Sequence, residues 1–392
     1  MPSVSFKNRV KNSTIVYGLY YYIGSFIVSF LKLFLKPQND LILFVSYGGK
    51  YFDDSPKDIY EAMLKDERYK NLRLVWAFTN PSKFDEVKGE KIKIDSITYY
   101  QTALQARVWI TNVSMMRGLK FKGINALSLN SWHGSAIKYL GEDSISKDSF
   151  RSRDHGRRAD IMLAQSGYDR YVFSRAFSIP IDNVMLTGFP RNDSLVSDNH
   201  LENIRHLKDK LLIPQNKKVI LYAPTYRDYD KIEGNICYLE PHLDIDKWRS
   251  SFGDEYVLII RAHMAISKVL GVKDDDFVRD FSGYPSLNDI LLVTDILISD
   301  YSGILFDFSI LGRPIICYTY DYDFYKEKRG MYMDIREELY SVSDEESLIE
   351  SIRHMDIEKM REMTIKFREK FVEEYGYASR KVLDIIYRSI EN

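Results

Sequence analysis

Beyond Lys36-Pro37 the chain alternates short β-branched and aromatic runs with helical stretches, and halfway along it the alternation starts again. Leu41–Ser46, Leu72–Phe78, Lys91–Ile94, Val108–Thr111, Ala126–Trp132 and Asp160–Ser166 read as strands of a first half. Lys218–Ala223, Tyr256–Ala262, Asp295–Ser299 and Pro314–Tyr318 read as strands of a second. Strands separated by helical periods predict a mostly parallel sheet with helices on both faces. A helix is expected from Ser55-Pro56, with Ser55 as its N-cap. Asp198 to Lys210 reads as a helix or linker between the halves, and the text from Ser343, a second candidate N-cap, is helical to the end. At 392 residues the chain exceeds one ordinary core. The expected fold is α/β, with two Rossmann-type parallel-sheet domains facing a cleft. Residues 37–205 form the first, 206–392 the second, and 1–36 a separate N-terminal segment.

That segment carries an uncharged run from Ile15 to Leu31, preceded by Lys7, Arg9 and Lys11 and followed by Lys32 and Lys36. A spanning helix needs about 20 apolar residues, and this run is shorter and rich in Tyr, Ser and Gly. It reads best as a helix lying in the interface, with aromatic rings at headgroup depth and lysines on anionic lipid. A true span and a buried core helix are the alternatives. A peripheral protein on the cytoplasmic face of the cell membrane is expected. The two cysteines, Cys237 and Cys317, allow neither a disulfide framework nor a zinc cluster. The formal net charge of -1 argues against a general nucleic-acid binder.

In doubly wound sheets, ligands bind beyond the carboxyl ends of the strands. No G-x-G-x-x-G and no G-x-x-x-x-G-K-[ST] occurs, so dinucleotide and Walker-type readings lose support. Polar clusters do fall at strand ends. Trp132-His133-Gly134-Ser135 offers a titratable imidazole, a glycine that admits close approach, and a serine placed to cap a following helix. Thr225 and Arg227 lie in a turn suited to phosphate oxygens. Arg261 and His263 close another strand. Ser299-Asp300-Tyr301-Ser302-Gly303 leads into an apolar helix whose first turn would favour an anion, with Asp307 inside it. Lys326, Lys328 and Arg329 then add charge on an expected loop. Each cluster alone has a bland reading as capped helix, solvated charge or satisfied histidine; four together across both halves do not.

These residues, with Gly188-Phe189-Pro190-Arg191-Asn192-Asp193 and Arg329-Gly330-Met331-Tyr332-Met333-Asp334, resemble the signature set of the CDP-glycerol glycerophosphotransferase family. The resemblance runs from about Phe44 to Asp334. It departs at Ser135-Ala136, where Thr-Pro is usual, at Met264, where Pro is usual, at Gly303, where a second serine is usual, and beyond Asp334, where a Gly-Pro stretch is missing. The resemblance implies a GT-B arrangement and teichoic acid or related polymer synthesis. It maps the family's two functional histidines onto His133 and His263.

The expected reaction moves glycerol phosphate from CDP-glycerol to a hydroxyl of a lipid-linked saccharide or polymer acceptor, releasing CMP. His133 is the expected base, with Trp132, Gly134 and Ser135 on the acceptor side. His263 and Arg261 neutralise the pyrophosphate, and Thr225, Arg227, Ser299, Asp300, Ser302, Gly303, Asp307 and Arg329 make up the donor site. No obligatory metal or cofactor is expected. CDP-ribitol as donor, a sugar-nucleotide glycosyltransferase or epimerase, and a membrane scaffold with a decayed site are the alternatives.

Overall fold

The computed structural model describes residues 13–145, 159–196, 200–227, 238–239, 241–262, 268–269 and 272–391. Within them, β1 (Gln38–Val45), β2 (Arg73–Phe78), β3 (Glu90–Lys93), β4 (Ala106–Thr111), β5 (Leu127–Asn130), β6 (Ile161–Ala164) and β7 (Val184–Leu186) make one sheet in the order β3-β2-β1-β4-β5-β6-β7. The second half builds on β8 (Lys218–Tyr222), with a two-residue pair β9 (Tyr238–Leu239) and β11 (Lys268–Val269) set apart from its main sheet. That sheet adds β10 (Tyr256–Ile260), β12 (Val278–Asp280), β13 (Ile296–Ser299), β14 (Ile315–Tyr318) and β15 (Ser341–Val342), in the order β12-β10-β8-β13-β14-β15. Neighbouring strands are parallel throughout. The central strands are covered on both faces, which is why they read as unbroken apolar runs rather than alternating ones.

The short strands β7, β12 and β15 have too few residues to announce themselves in sequence. Two caps move. The helix expected from Ser55 starts at Asp54, with Asp53 before it. The one expected from Ser343 is capped instead by Asp344, whose side chain accepts from the Ser347 amide. Residues His200–Lys210 are helical.

In each sheet the strand order reverses once, between β1 and β4 and between β8 and β13. These switch points open a crevice at the carboxyl ends, where the connecting helices leave in opposite directions. Thr111-Asn112 and Ser46-Tyr47 sit at the first; Ala223–Arg227 and Ser299–Gly303 sit at the second.

The domain division needs one correction. The last helix, Ala378–Glu391, returns to the first half: Val382, Leu383 and Ile386 join the core formed by Phe44, Trp76 and Leu129. Tyr69 donates to the Leu383 carbonyl, and Arg68 pairs with Asp384 at 2.6 Å. An amphipathic helix needs an apolar partner, and its sequence does not say which one.

The N-terminal run forms a helix over Thr14–Leu31, started by Ser13, whose hydroxyl accepts from the Val16 amide. It lies along the first domain. Tyr20 donates to the Arg117 carbonyl at 2.9 Å, Ser25 accepts from the Lys120 amide at 2.7 Å, Gly24 abuts Leu119, and Val28 enters the core. The other face is apolar and open: Ile15, Leu19, Ile23, Phe26, Ile27 and Phe30 are each at least half exposed.

Candidate active site

The loop after β5 carries His133. Asn130 accepts from the Trp132 amide at 2.8 Å, and Trp132 adopts a left-handed φ of 51°. That kink turns the indole inward onto Phe177 (ring centroids 4.5 Å apart) and leaves the imidazole facing the cleft. Its Nδ1 lies 3.1 Å from the Asn112 carbonyl oxygen, at the end of β4. A carbonyl only accepts, so Nδ1 carries the proton and Nε2 keeps its lone pair. Although the ring opens on the cleft, protein surrounds its other sides; this desolvation holds the pKa below the usual 6.5 despite the Asn112 bond and the nearby Asp54. The neutral form needed of a base is thereby favoured.

No helix starts at Ser135, so it does not act as a cap. Its hydroxyl donates to Asp169 at 2.8 Å and accepts from Gln165 at 2.7 Å. Asp169 is fully buried and burial pushes its pKa up to about 7. Gly134 has φ 127°, and a Cβ there would meet the Arg191 guanidinium at 2.9 Å. A Cβ on Gly303 would meet the Ser135 carbonyl at 2.9 Å. Gly303 therefore serves the approach of one domain to the other, and Gly134, where the sequence pointed to approach of a ligand, leaves room for Arg191 within the first domain.

Arg191 stands at that meeting. It reaches Asp54 at 3.1 Å and Asp307 at 2.7 Å, while Asn192 donates to Asp307 at 2.8 Å. Asp307 is thus an inter-domain strut, with both carboxylate oxygens engaged by Arg191 and one also by Asn192. Asp54 also accepts from Tyr47 Oη at 2.6 Å, and the Tyr47 amide donates to Asn112 Oδ1 at 2.8 Å. Tyr47, Asp54, Asn112, Asp169 and Arg191 carry this end of the cleft and had no assigned role in the sequence; only Arg191 stood in a quoted motif.

On the second domain, Arg227 is corrected too. Its guanidinium meets Asp300 at 2.9 Å and Asp321 at 2.8 Å, donates to the Thr225 carbonyl at 2.6 Å, and lies over the rings of Tyr301, Tyr320 and Tyr325. Asp300 accepts from the Thr225 and Tyr301 amides, and Ser299 donates to the Ala223 carbonyl at 2.6 Å. Arg227, Asp300 and Ser299 lock three strand ends together, and the Arg227 charge is already balanced. Thr225 Oγ1 is buried without a partner, and Ser302 is half-buried at the turn that precedes the helix Ile304–Ser309.

Arg261 donates to the Phe281 and Tyr284 carbonyls at 2.9 and 2.8 Å and faces Asp53, Tyr47 and Tyr51 of the first domain. Burial raises the Asp53 pKa to about 6, with Asp54 adding to the rise. Arg329 closes the helix Tyr322–Arg329, where a loop was expected. The next residues return to the histidine loop: the Tyr139 amide donates to the Gly330 carbonyl at 3.1 Å, and the Tyr332 amide to that of Ile137 at 2.8 Å. His263 lies outside the described residues. Among those described, no group of three His, Cys, Asp or Glu is arranged to hold a metal ion.

The family model for CDP-glycerol:poly(glycerophosphate) glycerophosphotransferases matches residues 27–388, which takes in both sheets and every strand-end cluster above. The chain belongs to this family. Among glycerophosphotransferase relatives, the teichoic acid glycerol-phosphate transferase of Staphylococcus aureus is 31% identical over 93% of this chain and 97% of its own length. The teichoic acid poly(glycerol phosphate) polymerase of Staphylococcus epidermidis is 33% identical over 91% of this chain, which spans 51% of that longer protein. The solved structure of the wall teichoic acid polymerase TagF superimposes with a TM-score of 0.81 at 32% identity, covering 93% of each chain. This glycerophosphotransferase is therefore two parallel-sheet α/β domains in the TagF manner.

Proposed function

We propose that the chain transfers glycerol phosphate from CDP-glycerol to a hydroxyl of a membrane-held acceptor in teichoic acid synthesis. The observation that carries this reading, beside family membership, is His133 with Nε2 free and facing the cleft. A TagF variant soaked with CDPG, 31% identical with a TM-score of 0.80, supports the donor class. The acceptor oxygen attacks the glycerol-side phosphorus, and the bond from that phosphorus to the bridging oxygen breaks. CMP leaves with both bonding electrons, and the acceptor proton passes to His133 Nε2. Such transfer depends on positioning and on charge that matches the phosphoryl oxygens. Arg261, Arg329, Ser302 and Thr225, with His263, are the groups assigned to that work. The step as written calls for no metal or cofactor.

The two domains read as a GT-B-like pair, with the donor on the second. The N-terminal helix, fixed to the first domain along one face, reads as lying on the cytoplasmic side of the membrane with Ile15, Leu19, Ile23 and Phe26 against lipid. A helix held along its length by Tyr20, Ser25 and Val28 is poorly placed to cross a bilayer.

The test is CMP release from the purified protein with CDP-glycerol, CDP-ribitol and a lipid-linked saccharide. CMP from CDP-glycerol, reduced by about two to four orders of magnitude in His133→Ala with the fold kept, is expected. An active His133→Ala enzyme removes the base. CMP from CDP-ribitol alone moves the substrate, and UDP or GDP release from a sugar nucleotide moves the reaction class.

A further inference from the structure

The cluster around Arg191 is buried, charged and shared between domains, and the reaction as written does not use it. Asp54 and Asp307 are about 2–3% exposed at their side chains, and Arg191 about 11%. Two carboxylates to one guanidinium leave a net negative charge beneath the histidine loop. Burying such a group is costly unless each charge is matched and hydrogen-bonded. Here Tyr47 and the Ser55 amide satisfy Asp54, and Asn192 satisfies Asp307.

The division between domains gives the cluster its property. Asp54, Arg191 and Asn192 belong to the first domain, and only Asp307 comes from the second. If the domains part, Arg191 keeps Asp54, Asp307 goes to water, and neither side is left with an isolated buried charge. The contact can therefore be made and released at small net cost. When made, it sets the Ser302-Gly303 turn against the histidine loop, since Gly303 meets the Ser135 carbonyl there and Asp307 lies one helical turn on.

The same cluster reaches His133 by an unbroken series of contacts. Arg191 holds Asp54 at 3.1 Å, Asp54 holds Tyr47 at 2.6 Å, the Tyr47 amide holds Asn112 at 2.8 Å, and the Asn112 carbonyl holds His133 Nδ1 at 3.1 Å. The Asp54 charge also favours the imidazolium that forms when His133 accepts the acceptor proton.

We propose that Arg191 is a positioning residue, clamped between Asp54 and Asp307, that ties closure of the second domain to the posture of the His133 loop. The proposal rests on the reading of His133 as the base. It makes the reaction sensitive to whether the donor-carrying domain is seated, so that an acceptor hydroxyl meets the base only with the donor in place.

The test is a double-mutant cycle on the full chain, with Asp307→Asn and Tyr47→Phe, reading kcat, KM for CDP-glycerol and Tm. Asp307→Asn keeps the shape and removes the charge. It is expected to lower kcat about ten- to a hundred-fold, as a misplacement of about 1 Å does, with KM changed less than about threefold and Tm within a few degrees. Tyr47→Phe is expected to lower kcat as well, and the double variant to fall little below the weaker single. An unchanged kcat in Asp307→Asn, or effects that simply multiply, overturns the proposal; so does a fall in Tm with kcat per folded molecule intact. Should Asp307→Asn fail to fold, Arg191→Lys, which keeps the charge and loses the fork, is read by the same criteria. If the wild type releases no CMP, it is the functional reading that fails. The clamp is then judged by small-angle scattering: a larger radius of gyration in folded Asp307→Asn supports it, and an equal one overturns it.

Discussion

Arg191 and Arg227 are both buried and each lies between two aspartates; Arg227 stands at its sheet's switch point, while Arg191 follows the edge strand β7 and reaches Asp54 beyond β1. Arg227 has both carboxylates, Asp300 and Asp321, inside its own domain, with three tyrosine rings packed over its guanidinium. Arg191 has Asp54 beside it and Asp307 across the domain boundary. The chemistry is the same and the connectivity differs. A clamp contained in one domain can only hold that domain's loops in shape, whereas one that straddles two domains also registers their separation. Removing either cation strands two carboxylates, but the relief available is unequal: parting the domains hydrates Asp307, while Asp300 has no such exit.

The largest effect is expected at Arg227. Arg227→Met leaves Asp300 and Asp321 without their cation and should cost about 3–5 kcal/mol of stability, seen as a large drop in Tm. A near-normal Tm would dissolve the contrast by showing Asp300 free to rehydrate. Next comes Gly303→Ala, which sets a methyl against the Ser135 carbonyl at 2.9 Å. Overpacking of this kind costs about 1–3 kcal/mol, and here it should fall on domain contact. CMP release should drop by about tenfold or more with denaturant stability nearly unchanged; full activity would show that the turn and the histidine loop need not touch.

Asp169 gives the smallest and most specific effect. Burial raises its pKa to about 7 from an ordinary 3.8, so the native state holds the proton more tightly than the unfolded chain. The stability this contributes is complete below the unfolded value and is lost as pH rises towards about 7. Relative to Asp169→Asn, the wild type should therefore lose denaturant stability between about pH 4 and about pH 7. A pH-independent difference would place an ionised Asp169 beneath Ser135.

Sequence made the strands legible because a parallel sheet covered on both faces demands continuous apolar runs, and KVILY and YVLII supply them. The strand-end position of His133 followed from the same runs. What the runs could not give was the partner of each charge. Arg227 in a strand-end turn looks the same whether it awaits a phosphate or holds Asp300, and Asp307 looks the same whether it faces a hydroxyl or Arg191. Asp54 and Arg191 meet across 137 positions, and Arg191 and Asp307 across 116. No local period encodes such pairings. The left-handed turn at Trp132 was equally silent, since that side chain gives no local preference for it.

The return of the helix Ala378–Glu391 to the first domain bears on how the molecule is made. A ribosome delivers the seven strands of the first sheet long before it delivers Val382, Leu383 and Ile386, which complete their core. Until then the nascent first half carries an unfilled apolar groove, while the second half is translated behind it. The half begun first is thus finished last. A premature stop just ahead of Ala378 would spare every strand of both sheets and still leave the opening domain unsealed, exposed to chaperones and proteases rather than to substrate.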